Sequence, residues 1–110
     1  MKSTLVFAAL TLTASAYRCR FDRYSPASQG LCGTPGKKLG DQTENDACSN
    51  RHSTSCYGRP QDTTGDANCW LIVHAGGGCD PALPLLANIT CNTDQVVYVG
   101  PEHTYKVVCA

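Results

Sequence analysis

The spacing of eight cysteines, Cys19, Cys32, Cys48, Cys56, Cys69, Cys79, Cys91 and Cys109, constrains this 110-residue chain more than any other feature. An even count spread over the whole length of a small domain reads as a disulfide framework made in an oxidising compartment. Zinc is the competing use, but zinc sites favour cysteines roughly two to four residues apart. The closest pair here, Cys48 and Cys56, is separated by seven residues. Four bridges would contribute about 2–4 kcal/mol each, mainly by restricting the unfolded chain. A domain of this size is marginal without such staples. Eight cysteines allow about a hundred pairings, and spacing does not choose among them. The strand-like settings of Cys19 and Cys109 point to a bridge tying the two ends together. With all eight paired, no thiol is left to serve as a nucleophile.

Residues 1–16, MKSTLVFAALTLTASA, place Lys2 ahead of an apolar run from Leu5 to Leu12 and then Ala14-Ser15-Ala16. That order is the pattern of a secretory signal peptide cleaved after Ala16. It predicts a secreted, extracellular protein whose residues 17–110 form a single domain. The apolar run is too short to cross a bilayer, so no membrane span is expected. Nine Lys plus Arg balance nine Asp plus Glu, and losing Lys2 with the leader tilts the remainder to about −1. Such a balance offers nothing to nucleic acid or to an anionic membrane surface. Arg18, Arg20 and Arg23 are the only local basic cluster, and with Asp22 among them they read as a solvated strand face.

Tyr17, Cys19 and Phe21 alternate with Arg18 and Arg20, the period of a half-buried strand. Residues 24–40 read as a long loop or a loose hairpin pinned by Cys32, with turn chemistry at Gly33-Thr34-Pro35-Gly36. Thr43, followed by Glu44 and Asp46, has the pattern of an N-cap for a short helix toward His52. Residues 57–68 are turn-rich and expected to be exposed. Cys69-Trp70-Leu71-Ile72-Val73 is flanked by helix-cap residues, Asp66 and Gly76-Gly77-Gly78, but its aromatic and β-branched content favours a buried strand. Pro81 and Pro84 make Leu83–Leu86 an irregular connection. Gln95–Val99 and Thr104–Cys109 flank Gly100-Pro101-Glu102-His103 and predict a hairpin. The expected fold is a small disulfide-rich α+β domain, mainly antiparallel β with one or two short helices.

Sites of chemistry are few. Asn88-Ile89-Thr90 is an N-glycosylation sequon that export would make usable. His52, His74 and His103 show no metal-ligand spacing, and His52 and His103 read as surface residues, so no metal and no cofactor are expected. No nucleophile elbow, metalloprotease helix or phosphate loop occurs. Tyr24, Tyr57, Tyr98 and Tyr105 are candidates for stacking on sugars or packing on a partner, cross-strand packing being the alternative for Tyr98 and Tyr105.

An export signal ending in Ala-Ser-Ala, a short mature chain, eight dispersed cysteines and no enzyme motif together resemble the small secreted cysteine-rich proteins of filamentous fungi. Arg18-Cys19-Arg20-Phe21 and the closing Thr104–Cys109 run share that character. The resemblance implies a non-enzymatic, effector-like binding protein that acts outside the producing cell on a host protein or polysaccharide. Absence of a Cys-Cys pair separates the chain from hydrophobins, and its charge separates it from lysine-rich antifungal proteins. An antimicrobial or killer-type toxin, for which related fungal toxins imply a disulfide-linked α/β sandwich, is the alternative. The chain also resembles guanyl-specific fungal ribonucleases in length and export. That likeness implies acid–base work by His52 or His103 with Glu44 or Glu102 and Arg51 or Arg59. The Tyr-x-His strand motif of those enzymes is missing.

Overall fold

The computed structural model describes residues 17–33 and 37–110. The predicted leader and residues 34–36 of the predicted turn lie outside them. Eight strands follow one another: β1 (Arg20–Tyr24), β2 (Lys38–Thr43), β3 (Ser49–Arg51), β4 (Ser55–Gly58), β5 (Cys69–Ala75), β6 (Leu85–Thr90), β7 (Val96–Val99) and β8 (His103–Cys109). They form two four-stranded sheets, ordered β2-β1-β4-β7 and β3-β8-β5-β6, in which every pairing is antiparallel. No helix occurs among the described residues. The fold is therefore all-β, which corrects the expectation of α+β and of an α/β sandwich.

The helix expected from Thr43 fails because its capping residues bind one another first. The Thr43 backbone amide donates to Asp46 Oδ2 at 2.8 Å, and the Asp46 amide donates back to the Thr43 carbonyl at 3.1 Å. Thr43 Oγ1 accepts from the Asn45 amide at 3.3 Å. Such local side-chain bonds offer the backbone a turn in place of a helix, and the chain enters β3 within a few residues. In β5 the strand reading holds. Cys69, Leu71 and Val73 are buried, while Trp70, Ile72 and His74 alternate toward the outer side.

Inner faces of the two sheets meet in one core, with Phe21, Tyr57 and Val99 on one side and Leu71, Val73, Ile89, Tyr105 and Val107 on the other. Cys19–Cys91 crosses between the sheets, and Cys69–Cys109 bridges two residues directly opposite in the β5–β8 ladder. The expected Cys19–Cys109 bridge is thus absent, because the register gives Cys109 a partner on its own sheet. Cys32–Cys56 pins the β1–β2 loop to β4, and Cys48–Cys79 ties the β5–β6 loop to the segment before β3.

Three further expectations change. The runs around Gly100 are strands, but β7 pairs with β4 while β8 pairs with β3 and β5. Residues 100–102 therefore turn a corner between sheets instead of closing a hairpin. Glu102 takes a left-handed φ of 61° there, and His103 Nδ1 donates to the Gly100 carbonyl at 2.8 Å. Leu85 begins strand β6, the prolines standing just before it. Tyr57 and Gly58, expected in an exposed turn, are buried in β4.

Gly58 is the tightest point of the β4–β7 ladder. A Cβ there would stand 2.6 Å from the Gln95 carbonyl oxygen and 2.9 Å from Val96 Cα. Both are backbone atoms that cannot rotate aside. Gly58→Ala is expected to destabilise the oxidised protein by about 1–3 kcal/mol, the cost of overpacking. Gly100→Ala, where a Cβ meets nothing within 4 Å, should leave the thermal melt unchanged.

Candidate functional site

The two ends of the paired sheets are built differently. One end carries residues 17–19, the 59–68 segment, Cys91 and Ala110. The other carries residues 25–33 after β1, residues 52–54, the start of the β5–β6 loop and the corner 100–102.

At the first end every arginine has an acid. Arg18 meets Asp66 at 2.8 Å, Arg20 meets Asp22 at 3.4 Å and Arg59 meets Asp62 at 2.8 Å. Arg59 also donates through Nε to the Arg20 carbonyl at 2.9 Å and through Nη1 to the Cys91 carbonyl. Its guanidinium is a strap across the start of β1 and the end of β6. Glu44 accepts from the backbone amides of Arg18 at 2.6 Å and Cys19 at 3.1 Å. Glu44 and Arg59, two of the residues implied by the ribonuclease likeness, are thus occupied in holding the frame.

At the second end the interior turns polar. Strand periodicity puts Arg23 on the same face as Phe21, so Arg23 points between the sheets and is not part of a solvated face. In register, Arg23 lies opposite Tyr57 across β1–β4, and Arg51 lies opposite His103 across β3–β8. Tyr57 and His103 join the two sheets through a buried 2.7 Å hydrogen bond. Since His103 Nδ1 donates to the Gly100 carbonyl, its Nε2 is the acceptor for the Tyr57 hydroxyl. His103, expected at the surface, is 1 % exposed. Burial holds its pKa below the ordinary value; the Gly100 carbonyl opposes the shift, and the Arg23 and Arg51 charges reinforce it. Burial also pushes the Tyr57 hydroxyl up, with Tyr105 adding to the effect. Tyr105 packs on Tyr57 with ring centroids 4.6 Å apart. Neither tyrosine is free to stack on a ligand.

A cavity of about 370 Å³ opens beside this cluster, lined by Asn50, Arg51, His52, Gly77, Glu102 and His103. His52 and Glu102 pair across it at 3.1 Å, both well exposed. The structure therefore gathers His52, Glu102, Arg51 and His103, but holds His103 inside by both ring nitrogens. A second cavity of about 470 Å³ lies at the same end between Pro26, Ser28, Gln29, Thr54, Tyr98 and Pro101. His74 sits half-buried on the outer side of β5, and no group of three or more metal-binding side chains converges among the described residues. Asn88 is exposed on the edge strand β6, opposite Ile72, with Thr90 opposite Trp70. Sequence reasoning singled out neither Arg23 nor Tyr57 for this cluster. Extending the Cys19–Phe21 alternation by two residues would have turned Arg23 inward.

No protein family, curated protein or solved structure matches this chain.

Tyr57→Phe would leave His103 Nε2 buried without a donor, and is expected to cost about 1–3 kcal/mol in thermal or denaturant unfolding. The depressed His103 pKa carries a sign. Below about 6.5 the unfolded chain takes up a proton that the folded chain refuses, so stability falls as pH drops through that value. Melts at pH 7 and pH 5 should show the loss in the wild type and a smaller one in His103→Asn.

Proposed function

We propose that the chain is exported and acts outside the producing cell as an effector-type binding protein on a host protein or polysaccharide. Four disulfides and no free cysteine are typical of extracellular proteins, and residues 1–16 have the order of a leader. The observation that carries the reading is the contrast between ends: at one the arginines are paired with acids, and the other presents two cavities, disulfide-pinned loops and two arginines with no ion pair among the described residues. A disulfide-fixed frame that presents loops at one end suits recognition. Turnover is the weaker reading, because His103, one of the two histidines at this end, has both ring nitrogens hydrogen-bonded internally. Within this proposal the β1–β2 loop and residues 100–102 contact the partner. Residues 59–68, which also attract attention by composition, belong to the opposite end, where Arg59 and Asp62 are paired.

Infiltration of oxidised residues 17–110 into leaves of several plant lines, against a reduced and alkylated control, tests this directly. A line-dependent response lost on reduction, and lost again on alanine replacement of residues 26–31, is the expected result. Growth inhibition of microbes without any host would replace the proposal with the toxin reading, and turnover abolished by His52→Ala would replace it with a hydrolase.

Export has a second consequence at Asn88. Its exposed position on an edge strand leaves room for a glycan beside the outward Trp70 and Ile72. Secretion from a glycosylating host should add a mass removed by an N-glycosidase and absent from Asn88→Gln.

A further inference from the structure

Arginine charges in this protein fall into two groups. Arg18, Arg20 and Arg59 each have a carboxylate within 3.4 Å. Arg23 and Arg51 have no ion pair among the described residues, and the Nε of each is buried without a hydrogen-bond partner. A guanidinium presents five donors in a rigid fork matched to oxyanions, and withdrawing it from water without a partner is unfavourable. Chance placement of one such group is unremarkable; two that converge are a site. Their convergence follows from register, since each stands beside one member of the Tyr57–His103 pair that links the sheets. The Tyr57 hydroxyl donates to His103 Nε2, and neither group bonds an arginine.

Space for a ligand lies on both sides. Gly40 sits opposite Arg23 on the edge strand β2, and a Cβ there would meet only Arg23 Nη2, at 3.6 Å. Arg51 lines the 370 Å³ cavity at the same end. Positive charges here are local, because the chain as a whole is balanced. Such a site takes one anionic group in a recess and not a polyanion spread over a surface.

We propose that Arg23 and Arg51 form a binding site for a single oxyanion group, a carboxylate, sulfate or phosphate. This rests on the reading of the protein as a binding protein and supplies the chemistry its partner would present.

The test is calorimetry and thermal melting of the oxidised protein with sodium acetate, sulfate and phosphate, each against sodium chloride at matched ionic strength. The wild type should show saturable binding of at least one oxyanion and a matching rise in melting temperature; which one binds separates carboxylate from sulfate or phosphate sources. Arg23→Gln and Arg51→Gln should each weaken binding at least tenfold. Gly40→Asp, which supplies a carboxylate beside Arg23 from the chain itself, should raise the melting temperature without added anion and remove the response to it. Equal anion responses in wild type and both arginine variants would overturn the proposal, as would a wild type that answers all salts alike. Leaf responses unchanged in the Arg23→Gln/Arg51→Gln double variant would also overturn it while leaving the binding reading intact.

Discussion

Two four-stranded sheets with short strands must be kept face to face by very little apolar material, and the Cys19–Cys91 bridge is where that problem is met. It fastens the start of β1 to the end of β6 over 72 residues of sequence, so the unfolded chain loses the entropy of a long loop. Everything nearby reinforces the same junction. The Cys91 amide donates to the Cys69 carbonyl at 2.9 Å, and Cys69 is itself bridged to Cys109. Arg59 reaches the Cys91 carbonyl, and Gly65 lies so close to that carbonyl and to the Arg59 guanidinium that no side chain fits. The 59–68 segment, polar and turn-rich in sequence, is part of this clamp.

Strand character was legible wherever alternation and β-branching agreed. β5, with buried Cys69, Leu71 and Val73 alternating with Trp70 and Ile72, and β8 from Tyr105 on, with buried Tyr105 and Val107 alternating with Lys106 and Val108, carry that pattern openly. Pairing was not legible, because it depends on which sheet a strand joins. Gln95–Val99 and Thr104–Cys109 read as a hairpin, but β7 and β8 join different sheets and residues 100–102 turn the corner between them. Disulfide pairing is hidden for the same reason: Cys109 finds Cys69 only through the β5–β8 register. The predicted helix at Thr43 shows the limit of cap signals, since Thr and Asp cap a turn by the same bonds with which they cap a helix.

The candidate site was half visible. His52, His103, Glu102 and Arg51 were singled out by residue type, and the fold does bring them to one end. Their roles differ from those the residue types implied. His103 became a structural member, bonded to Gly100 and Tyr57, and the charge that matters most, on Arg23, was hidden in a cluster read as a solvated face.

Polarity inside the second end is the feature least explained by stability. Filling that space with apolar side chains would extend the Phe21–Leu71 core, and replacing buried charge by well-packed hydrophobic groups is often neutral or stabilising. Instead the sheets are joined by a tyrosine–histidine bond, with two guanidinium groups beside it that make no ion pair among the described residues. Cys19–Cys91, the Arg59 strap and the Tyr57–His103 bond hold the sheets to each other, and Cys32–Cys56 and Cys48–Cys79 hold the loops of the second end, so apolar packing there does not carry the fold alone. A fold whose bridges already fix its sheets and loops can keep unsatisfied donors between them, and those donors are the groups through which a partner with oxyanion chemistry would be recognised.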